Sequence, residues 1–402
     1  MPGPLSGIKV VELGVWVAGP AAAGILGDWG ADVVKIEPPN GDPSRIFQKM
    51  LGGDMPNNPV FELDNRNKSG VVIDLSTNDG PALAIELIAE ADVFVTNIRS
   101  AALEKMGLDY DTLHERFPRL VYAQITGYGR EGADANRPGF DIAAYWAYAG
   151  LADLLTAPDG DPPFQRGGMG DHATGLATAG AVSAALFSRE ATGEGQLVST
   201  SLARMGAYQV GFDLNIALMW GVTLDTPTRD AARNPTANNY RCKDGKRIWI
   251  VGIDMERHWA PLTRAVGHPE WAEDERWSSI IGRATNCHEL IAELDAIFAT
   301  KTRDEWAEVF ADEPDLFWAP VNSLEDLIAD PQFAAAGGLV EVPDGPATST
   351  MVASPADFSE TTWQARSSAP ALGADTREVL RQLGKSDEEI DAFIASGTVS
   401  ES

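Results

Sequence analysis

The chain is poor in the residues that hold metals or form disulfides. Its 402 residues include only two cysteines, Cys242 and Cys287, and no CxxC pair. The five histidines are scattered, with no HxxxH pair among them. This scarcity argues against a disulfide framework and gives no support to a zinc site or other metal centre. We therefore predict a protein without a bound metal.

Long apolar runs are missing as well. No stretch of the sequence is long and apolar enough for a membrane-spanning helix. The first residues, Met-Pro-Gly-Pro-Leu-Ser, lack a basic segment followed by an apolar one, so they do not predict a signal peptide. We expect a cytoplasmic protein that does not associate with membranes.

Basic residues are few relative to acidic ones. There are 31 Lys and Arg residues against 59 Asp and Glu residues, which gives a net charge of −28. A surface of this sign repels nucleic acids and anionic membranes, so we expect neither as a partner. An anionic ligand would need a local basic pocket. An acidic, solvated surface explains the excess without any functional role.

The motifs of two common enzyme classes are absent, but an ordered pattern of secondary structure is present. The sequence has neither the GxGxxG dinucleotide fingerprint nor the GxSxG elbow of serine hydrolases. Short apolar strands alternate with helices as far as residue 126, which is typical of an α/β fold with a Rossmann-like, doubly wound parallel sheet. The polar segment 38–67 between two of these strands predicts a long surface loop.

Changes in composition indicate the domain organisation. We predict a large α/β domain over residues 1–220, completed by residues 331–402. A polar linker is expected at 221–239 and a smaller α+β domain at 240–330. In doubly wound sheets, ligands bind beyond the carboxyl ends of the strands. Here those ends carry Trp16 and Val17, Asn97 and Ile98, and residues 127–130.

A glycine-rich stretch at residues 166–175 contains one carboxylate, Asp171. A run of small apolar residues follows and predicts a buried helix over 173–187, so Asp171 should lie at or next to a helix N-terminus. The helix dipole and nearby N–H groups would hold that carboxylate ionised, as a nucleophile requires. The same pattern also fits a purely structural role, because Asp is a favoured N-cap residue.

Fragments spread along the chain resemble the class III coenzyme A transferases, the CaiB/BaiF group, whose relatives include formyl-CoA transferase and α-methylacyl-CoA racemase. The resemblance includes Gly-Phe-Asp at 139–141 and Gly-Asp at 170–171. The other matching fragments are residues 4–13, 18–20, 26–37, 65–68, 91–97, 103–107, 126–129, 192–196 and 369–373.

The resemblance implies a function for the glycine-rich stretch. Asp171 would be the nucleophile that takes coenzyme A from an acyl-CoA and passes it to a carboxylic acid, through mixed-anhydride and aspartyl-CoA thioester intermediates. Gly167, Gly168 and Gly170 would let N–H donors approach the developing oxyanions. The acyl-CoA thioester is then a substrate, and no separate cofactor is expected. The family also implies an interlocked homodimer.

Coenzyme A itself would lie across the strand ends. By the resemblance, its contacts are expected at Trp16, Val17, Lys68, Asn97, Ile98 and Lys105, with Arg45 as a further candidate. For the acyl group we expect apolar neighbours at Phe140, Tyr128 and Met169, although aromatic residues at such spacing also fit a core role.

Two alternatives remain open from the sequence. Racemases of the family carry His where this chain has Phe140, which removes one of the two acid–base groups that a proton transfer needs. An α-methylacyl-CoA epimerase consequently ranks second, behind the transferase. His172 is next to Asp171, but a structural or supporting role is the simpler interpretation of this residue. A non-catalytic acyl-CoA binder is the third.

Overall fold

A computed structural model describes residues 3–50 and 58–401. The chain forms two compact units. The larger comprises the chain up to Asp153, Phe164–Thr223, and the chain from Ala335 onward. The smaller comprises Leu154–Pro163 and Leu224–Ala334. In the described ranges, no helix is long and apolar enough to cross a bilayer.

The strands and helices are numbered in chain order. The strands are β1 Lys9–Leu13, β2 Asp32–Glu37, β3 Lys68–Ile73, β4 Val93–Thr96, β5 Val121–Thr126, β6 Leu197–Ser201, β7 Ala237–Arg241, β8 Arg247–Val251, β9 Trp318–Val321, β10 Leu339–Asp344, β11 Ala347–Val352 and β12 Val399–Ser400. The helices are α1 Ala18–Asp28, α2 Phe47–Met50, α3 Pro59–Asn65, α4 Gly80–Ala89, α5 Ser100–Met106, α6 Tyr110–Arg116, α7 Leu151–Leu154, α8 Met169–Thr192, α9 Leu202–Gln209, α10 Gly211–Trp220, α11 Trp259–Ala265, α12 Ile280–Thr285, α13 Cys287–Phe298, α14 Arg303–Ala311, α15 Leu324–Ile328, α16 Pro331–Ala335, α17 Thr376–Gln382 and α18 Asp387–Ala395.

The larger unit is built on a sheet with the strand order β12-β3-β2-β1-β4-β5-β6. Neighbours among β1 to β6 are parallel, and β12 runs antiparallel to β3 at the edge. The predicted mixed α/β fold with a large, mainly parallel sheet is thus confirmed, and the order of β1 to β6 is that of a Rossmann fold. All four residues of β4 are buried, as expected for a strand covered on both faces.

The smaller unit contains an antiparallel sheet in the order β7-β8-β9. Its core is rich in tryptophan and other aromatic residues, including Trp277, Trp306, Tyr240 and Phe298. The hairpin of β10 and β11 belongs to the larger unit.

The segment 38–67 is not the irregular loop that the sequence predicts. Its described residues form a 3₁₀ turn at Pro43–Ile46 and the helices α2 and α3, whereas residues 51–57 lie outside the described ranges. Pro59 is the first residue of α3 and Asn58 its N-cap, with the Asn58 side chain accepting a hydrogen bond from the Phe61 N–H. Capping and proline at the first position therefore start a helix that has no long hydrophobic pattern.

Helices α1 and α8 pack closely because small residues meet where they cross. A Cβ on Gly175 of α8 would lie 3.0 Å from the Cβ of Ala21 and 3.0 Å from the backbone nitrogen of Ala22. A Cβ on Gly24 of α1 would lie 2.7 Å from the carbonyl oxygen of Asp64 in α3. These close approaches fix the start of α8 relative to α1 and α3.

Candidate active site

Asp171 lies in the first turn of α8, but it is not the N-cap. The helix begins at Met169, and Gly168, with φ of +83°, is its N-cap. The purely capping role considered for Asp171 is therefore wrong, because the side chain belongs to the third residue of the helix. The helix extends over 24 residues, longer at both ends than the predicted 173–187.

A second carboxylate, Asp141, sits beside this helix start. Its Oδ2 accepts hydrogen bonds from Nε2 of Gln165 at 2.9 Å and from the backbone N–H of Gly170 at 3.3 Å. Asp141 is buried and directly precedes a π-helical turn at Ile142–Ala147. In the sequence, Asp141 stands out only as the last residue of the Gly-Phe-Asp fragment. An acidic residue in a segment otherwise rich in apolar residues was the signal that it is buried and paired.

The three glycines of the loop have different roles. A Cβ on Gly170 would lie 2.4 Å from Cγ of Tyr145, so glycine is required there by packing. Its own N–H donates to Asp141, so any N–H donor to an oxyanion would come from a neighbouring residue, and the predicted role of Gly170 in letting such donors approach stays a prediction. Gly168 supplies the left-handed conformation before the helix. A Cβ on Gly167 would meet nothing within 4 Å, and the predicted role of Gly167 and Gly168 beside a developing oxyanion stays a prediction.

The surroundings raise the pKa of Asp171 to about 7. Burial is the largest cause, and the negative charge of Asp141 adds to it, whereas the charge of His172 acts in the opposite direction. The raised pKa runs against the expectation that the helix dipole and nearby N–H groups hold this carboxylate ionised, because burial outweighs them. Near neutral pH the group is present in both forms, which still leaves an ionised fraction able to act as a nucleophile.

His172 is paired with a carboxylate from α3. Its Nε2 lies 3.0 Å from Oδ1 of Asp64, a buried residue. The hydrogen bond with Asp64 raises the pKa of the imidazole, although burial opposes this rise. The interaction joins residues that are 108 positions apart, so no local sequence pattern predicts it.

The loop between β1 and α1 is held in an unusual conformation. Trp16 has φ of +65°, and its N–H donates to Oδ1 of Asp42 at 3.0 Å. Asn97, at the end of β4, bonds both the N–H and the carbonyl of Val15, at 2.9 and 2.8 Å. The structure thus brings the predicted residues Trp16 and Asn97 to one edge of the sheet. Left-handed backbone at a bulky residue is uncommon, and such residues cluster at functional sites.

Of the other predicted contacts with coenzyme A, Val17 is buried, Ile98 is half-buried and Lys105 is exposed on α5. Ile98 directly follows Asn97, and its N–H donates to Oγ1 of Thr96. For Trp16, Val17, Asn97, Ile98 and Lys105, a contact with coenzyme A stays a prediction.

Lys68 does not face a ligand site, contrary to the prediction. Its side chain is fully buried, and Nζ donates to Oε2 of Glu12 at 2.6 Å, to the carbonyl of Pro20 at 2.9 Å and to Oδ1 of Asn65 at 3.0 Å. An ammonium group has three N–H donors, so none remains for a phosphate. Glu12 also binds Nζ of Lys35, at 2.7 Å. Glu12 in β1 and Lys35 in β2 are charged residues inside apolar strands, and this pattern was the sequence signal for the buried network.

Most of the hydrogen-bonding capacity of the Arg45 guanidinium is already used within the protein. Its guanidinium donates to both carboxylate oxygens of Glu37, at 2.7 and 2.6 Å, and to the carbonyl of Pro370 at 3.0 Å. The group lies over the ring of Phe61, 4.0 Å from its centroid. Such a bidentate pair neutralises the charge, so we correct the expectation that Arg45 binds a phosphate.

Of the three residues expected around the acyl group, two are apolar and exposed. Phe140 is 58% exposed and Met169 is 49% exposed. The ring of Phe140 meets that of Trp16 edge to face, with centroids 5.6 Å apart. Tyr128 instead packs edge to face against Tyr148. Phe140 therefore adjoins the loop predicted to bind coenzyme A, whereas Tyr128 is engaged with another ring.

Across residues 3–50 and 58–401, no three His, Cys, Asp or Glu side chains are grouped to hold a metal.

The similarity of this chain to known proteins extends over nearly its whole length. The model of a family described as CoA-transferase family III matches residues 5–376. The chain is 36% identical over 400 residues to the (R)-2-hydroxy-4-methylpentanoate CoA-transferase of Clostridioides difficile, covering 98% of this chain and 99% of that protein. It is 35% identical over 395 residues to the cinnamoyl-CoA:phenyllactate CoA-transferase of Clostridium sporogenes, covering 96% and 95%. The crystal structure of a CAIB/BAIF family protein from Brucella suis is similar, with a TM-score of 0.83 and 30% identity, over 95% of this chain and 100% of that one.

Proposed function

Because the chain belongs to CoA-transferase family III, we propose that Asp171 is the nucleophile by which it moves coenzyme A from an acyl-CoA donor to a carboxylic acid acceptor. The observation that carries this proposal is the position of Asp171 in the first turn of α8, after two loop glycines and with a pKa of about 7. A carboxylate in this position can be ionised at neutral pH and still be shielded from much of the solvent.

The first half of the reaction loads coenzyme A onto the enzyme. An oxygen of the Asp171 carboxylate attacks the thioester carbon of the donor, the C–S bond breaks, and coenzyme A leaves as a thiolate. The product is a mixed anhydride between Asp171 and the donor acid. The thiolate then attacks the aspartyl carbonyl carbon of that anhydride and releases the donor acid as a carboxylate. Asp171 is left as a thioester of coenzyme A.

The second half reverses these steps with the acceptor. The acceptor carboxylate attacks the aspartyl thioester, releases the thiolate and forms a second mixed anhydride. The thiolate attacks the acceptor carbonyl carbon, which gives the new acyl-CoA and restores the Asp171 carboxylate. N–H groups at the start of α8, and the loop at Gly167 and Gly168, are suited to stabilise the oxyanions of these steps. Water must be excluded, because it would hydrolyse the anhydrides.

The accessible apolar side chains beside the site favour acids with an apolar chain. Phe140 and Met169 are exposed near Asp171. The two transferases named above act, by their names, on 2-hydroxy-4-methylpentanoate and on cinnamoyl-CoA with phenyllactate. We therefore propose aliphatic or aromatic monocarboxylic acids as substrates. Racemisation is disfavoured, because Phe140 replaces the second acid–base group.

A homodimer is part of the proposal. No residue of the ten-residue helix α10 is buried, and Phe212 and Leu218 are 82% and 73% exposed. An apolar helix without a buried face is typical of a surface covered by another subunit.

Sedimentation of Leu218→Asp should show a lower mass than the wild type. Ile281→Asp, which changes an equally accessible residue of the smaller unit, should sediment like the wild type, and identical masses for both variants would contradict this interface.

Transfer can be tested directly. The protein is mixed with an acyl-CoA and a panel of acids, including phenyllactate, 2-hydroxy-4-methylpentanoate and a dicarboxylate, and new acyl-CoA species are detected by mass spectrometry. We expect transfer among the monocarboxylates and none with Asp171→Asn. Full transfer by that variant would contradict the proposal. Exchange of the α-proton with deuterated water without an acceptor would favour the racemase alternative instead.

A further inference from the structure

Asp64 is a buried carboxylate with an incomplete set of partners. It belongs to α3, its side chain is 3% exposed, and its Oδ1 lies 3.0 Å from Nε2 of His172. Its other oxygen, Oδ2, is buried without a hydrogen-bond partner in the described part of the chain. An ionised carboxylate in this position is costly unless a positive charge lies next to it. The direct partner that can supply this charge is His172.

We propose that Asp64 holds His172 as an imidazolium, and that this fixed positive charge next to Asp171 keeps the nucleophilic carboxylate ionised. The inference rests on the proposed function, since it concerns the group that we take to be the nucleophile. His172 acts in it as a positioning residue, because it influences the reaction through Asp171.

The position of the imidazole suits this role. A Cβ on Gly168 would lie 3.2 Å from Cε1 and 3.4 Å from Nδ1 of His172. The ring therefore lies against the loop that leads into Asp171, and glycine at 168 leaves the space for it. Since Nε2 is directed to Asp64, the positive charge is held between α3 and the start of α8.

The charges around His172 are mainly negative. Asp171 lies on the same helix, Asp141 precedes the π-helical turn, and Asp64 faces the ring from α3. Beyond Asp64, Glu12 of β1 and Lys68 of β3 are bound to each other, as are Asp28 of α1 and Arg66. These ion pairs largely cancel. The carboxylates that remain favour a protonated imidazole, and the pKa of His172 is raised accordingly.

Asp171 needs such a charge, because its other neighbours act against ionisation. Burial and the charge of Asp141 raise its pKa, and the charge of His172 lowers it. Without the imidazolium, the pKa of Asp171 would be higher, and a smaller fraction of the carboxylate would be ionised at neutral pH. A protonated carboxyl group is a poor nucleophile, so loss of the charge should slow the first step most strongly at low pH.

The test compares the pH dependence of aspartyl thioester formation in single-turnover experiments with acyl-CoA. In His172→Gln and in Asp64→Asn, we expect the acidic limb of the rate profile to move to higher pH by about one unit. Rates at alkaline pH should approach those of the wild type. The displacements of the two single variants should not add in the double variant, because both substitutions act through loss of the same imidazolium charge.

His268→Gln is the matched control, since His268 also pairs with a carboxylate, Glu270 at 2.9 Å, but belongs to the smaller unit. Its acidic limb should match that of the wild type. An unmoved limb in His172→Gln, or an equal loss of rate at every pH, would overturn the inference. Should Asp64→Asn fail to fold, His172→Gln decides the question alone.

A second readout separates this inference from the proposed function. The Asp171 carboxyl is titrated by NMR in protein labelled with ¹³C-aspartate, with Asp171→Asn used to assign its signal. We expect His172→Gln to raise the pKa of Asp171, and an unchanged pKa would overturn the inference. If the wild type forms no aspartyl thioester at any pH, the proposed nucleophile is wrong, while the titration still reports the effect of His172.

Discussion

The indole ring of Trp16 meets the phenyl ring of Phe140 edge to face, with ring centroids 5.6 Å apart. The first residue belongs to the loop after β1, where we expect coenzyme A, and the second belongs to the Gly-Phe-Asp segment, where we expect the acyl group. The contact therefore joins the two parts of the proposed acyl-CoA site. It also gives a ring that is 58% exposed an aromatic partner beside Asp141.

Phe140→Ala should weaken acyl-CoA binding without unfolding the protein. Covering the exposed half of a phenylalanine ring with a ligand is worth about 0.7–1.4 kcal/mol, so we expect KM for acyl-CoA to rise about three- to tenfold. The melting temperature should change little, because the ring is largely exposed. Phe187→Ala, which removes an exposed ring further along α8, should leave KM as it is. Equal KM values for both variants and the wild type would place the acyl-CoA elsewhere.

The sequence predicted elements whose pattern is local. The strand β4 is a short apolar run, and α8 follows a glycine-rich loop with a long run of small residues, so both could be assigned from neighbouring residues alone. The short helices α2 and α3 lack such a pattern. They depend on capping by Asn58 and on packing of Gly24 against α3, which only the folded chain reveals.

The candidate site was predicted less completely, because its electrostatics depend on distant residues. Asp171 was identified from its glycine-rich loop together with the family resemblance, but its pKa depends on Asp141, and His172 depends on Asp64. Lys68 appeared to be a free basic residue. Its burial follows from the pairing of β1, β2 and β3, which sets Glu12 within 2.6 Å of its ammonium group.

Gly170→Ala should destabilise the protein, because the new methyl group would lie 2.4 Å from Cγ of Tyr145. Overpacking of this kind costs about 1–3 kcal/mol, so the midpoint of urea unfolding should fall. Gly180→Ala is the control in the same helix, where a Cβ meets nothing within 4 Å. That variant should gain about 0.5–1 kcal/mol from the higher helix propensity of alanine. A stable, fully active Gly170→Ala variant would contradict the packing described.

Lys105→Ala should raise KM for acyl-CoA, because Lys105 is exposed on α5 and is the remaining basic candidate for a phosphate contact. We expect a three- to tenfold increase, about the effect of one charged contact, which should shrink as salt is added. Lys9→Ala removes a lysine that is 60% exposed at the opposite end of β1 and should not change KM. A similar increase in both variants would indicate a general charge effect rather than a contact.

Asp171→Asn should stabilise the protein at neutral and alkaline pH. The folded-state pKa of about 7 lies above the ordinary value of about 3.9, so between these values the native state binds a proton that the unfolded chain has lost. The stability of the wild type therefore falls as pH rises through this window, and asparagine removes that loss. We expect the variant to be more stable by about 2–4 kcal/mol at pH above the window, and equal to the wild type below it.

Asp111→Asn, which removes an exposed carboxylate on α6, is the control. A constant difference across the pH range would contradict the raised pKa.

The covalent role of Asp171 is tested most directly by trapping the intermediate. The protein is incubated with acyl-CoA, treated with hydroxylamine and digested with trypsin, and the peptide of residues 167–189 is analysed by mass spectrometry. We predict a hydroxamate on Asp171 that forms with acyl-CoA and not with free coenzyme A. Active protein in which Asp171 stays unmodified, or in which the label is found on another residue, would contradict the account.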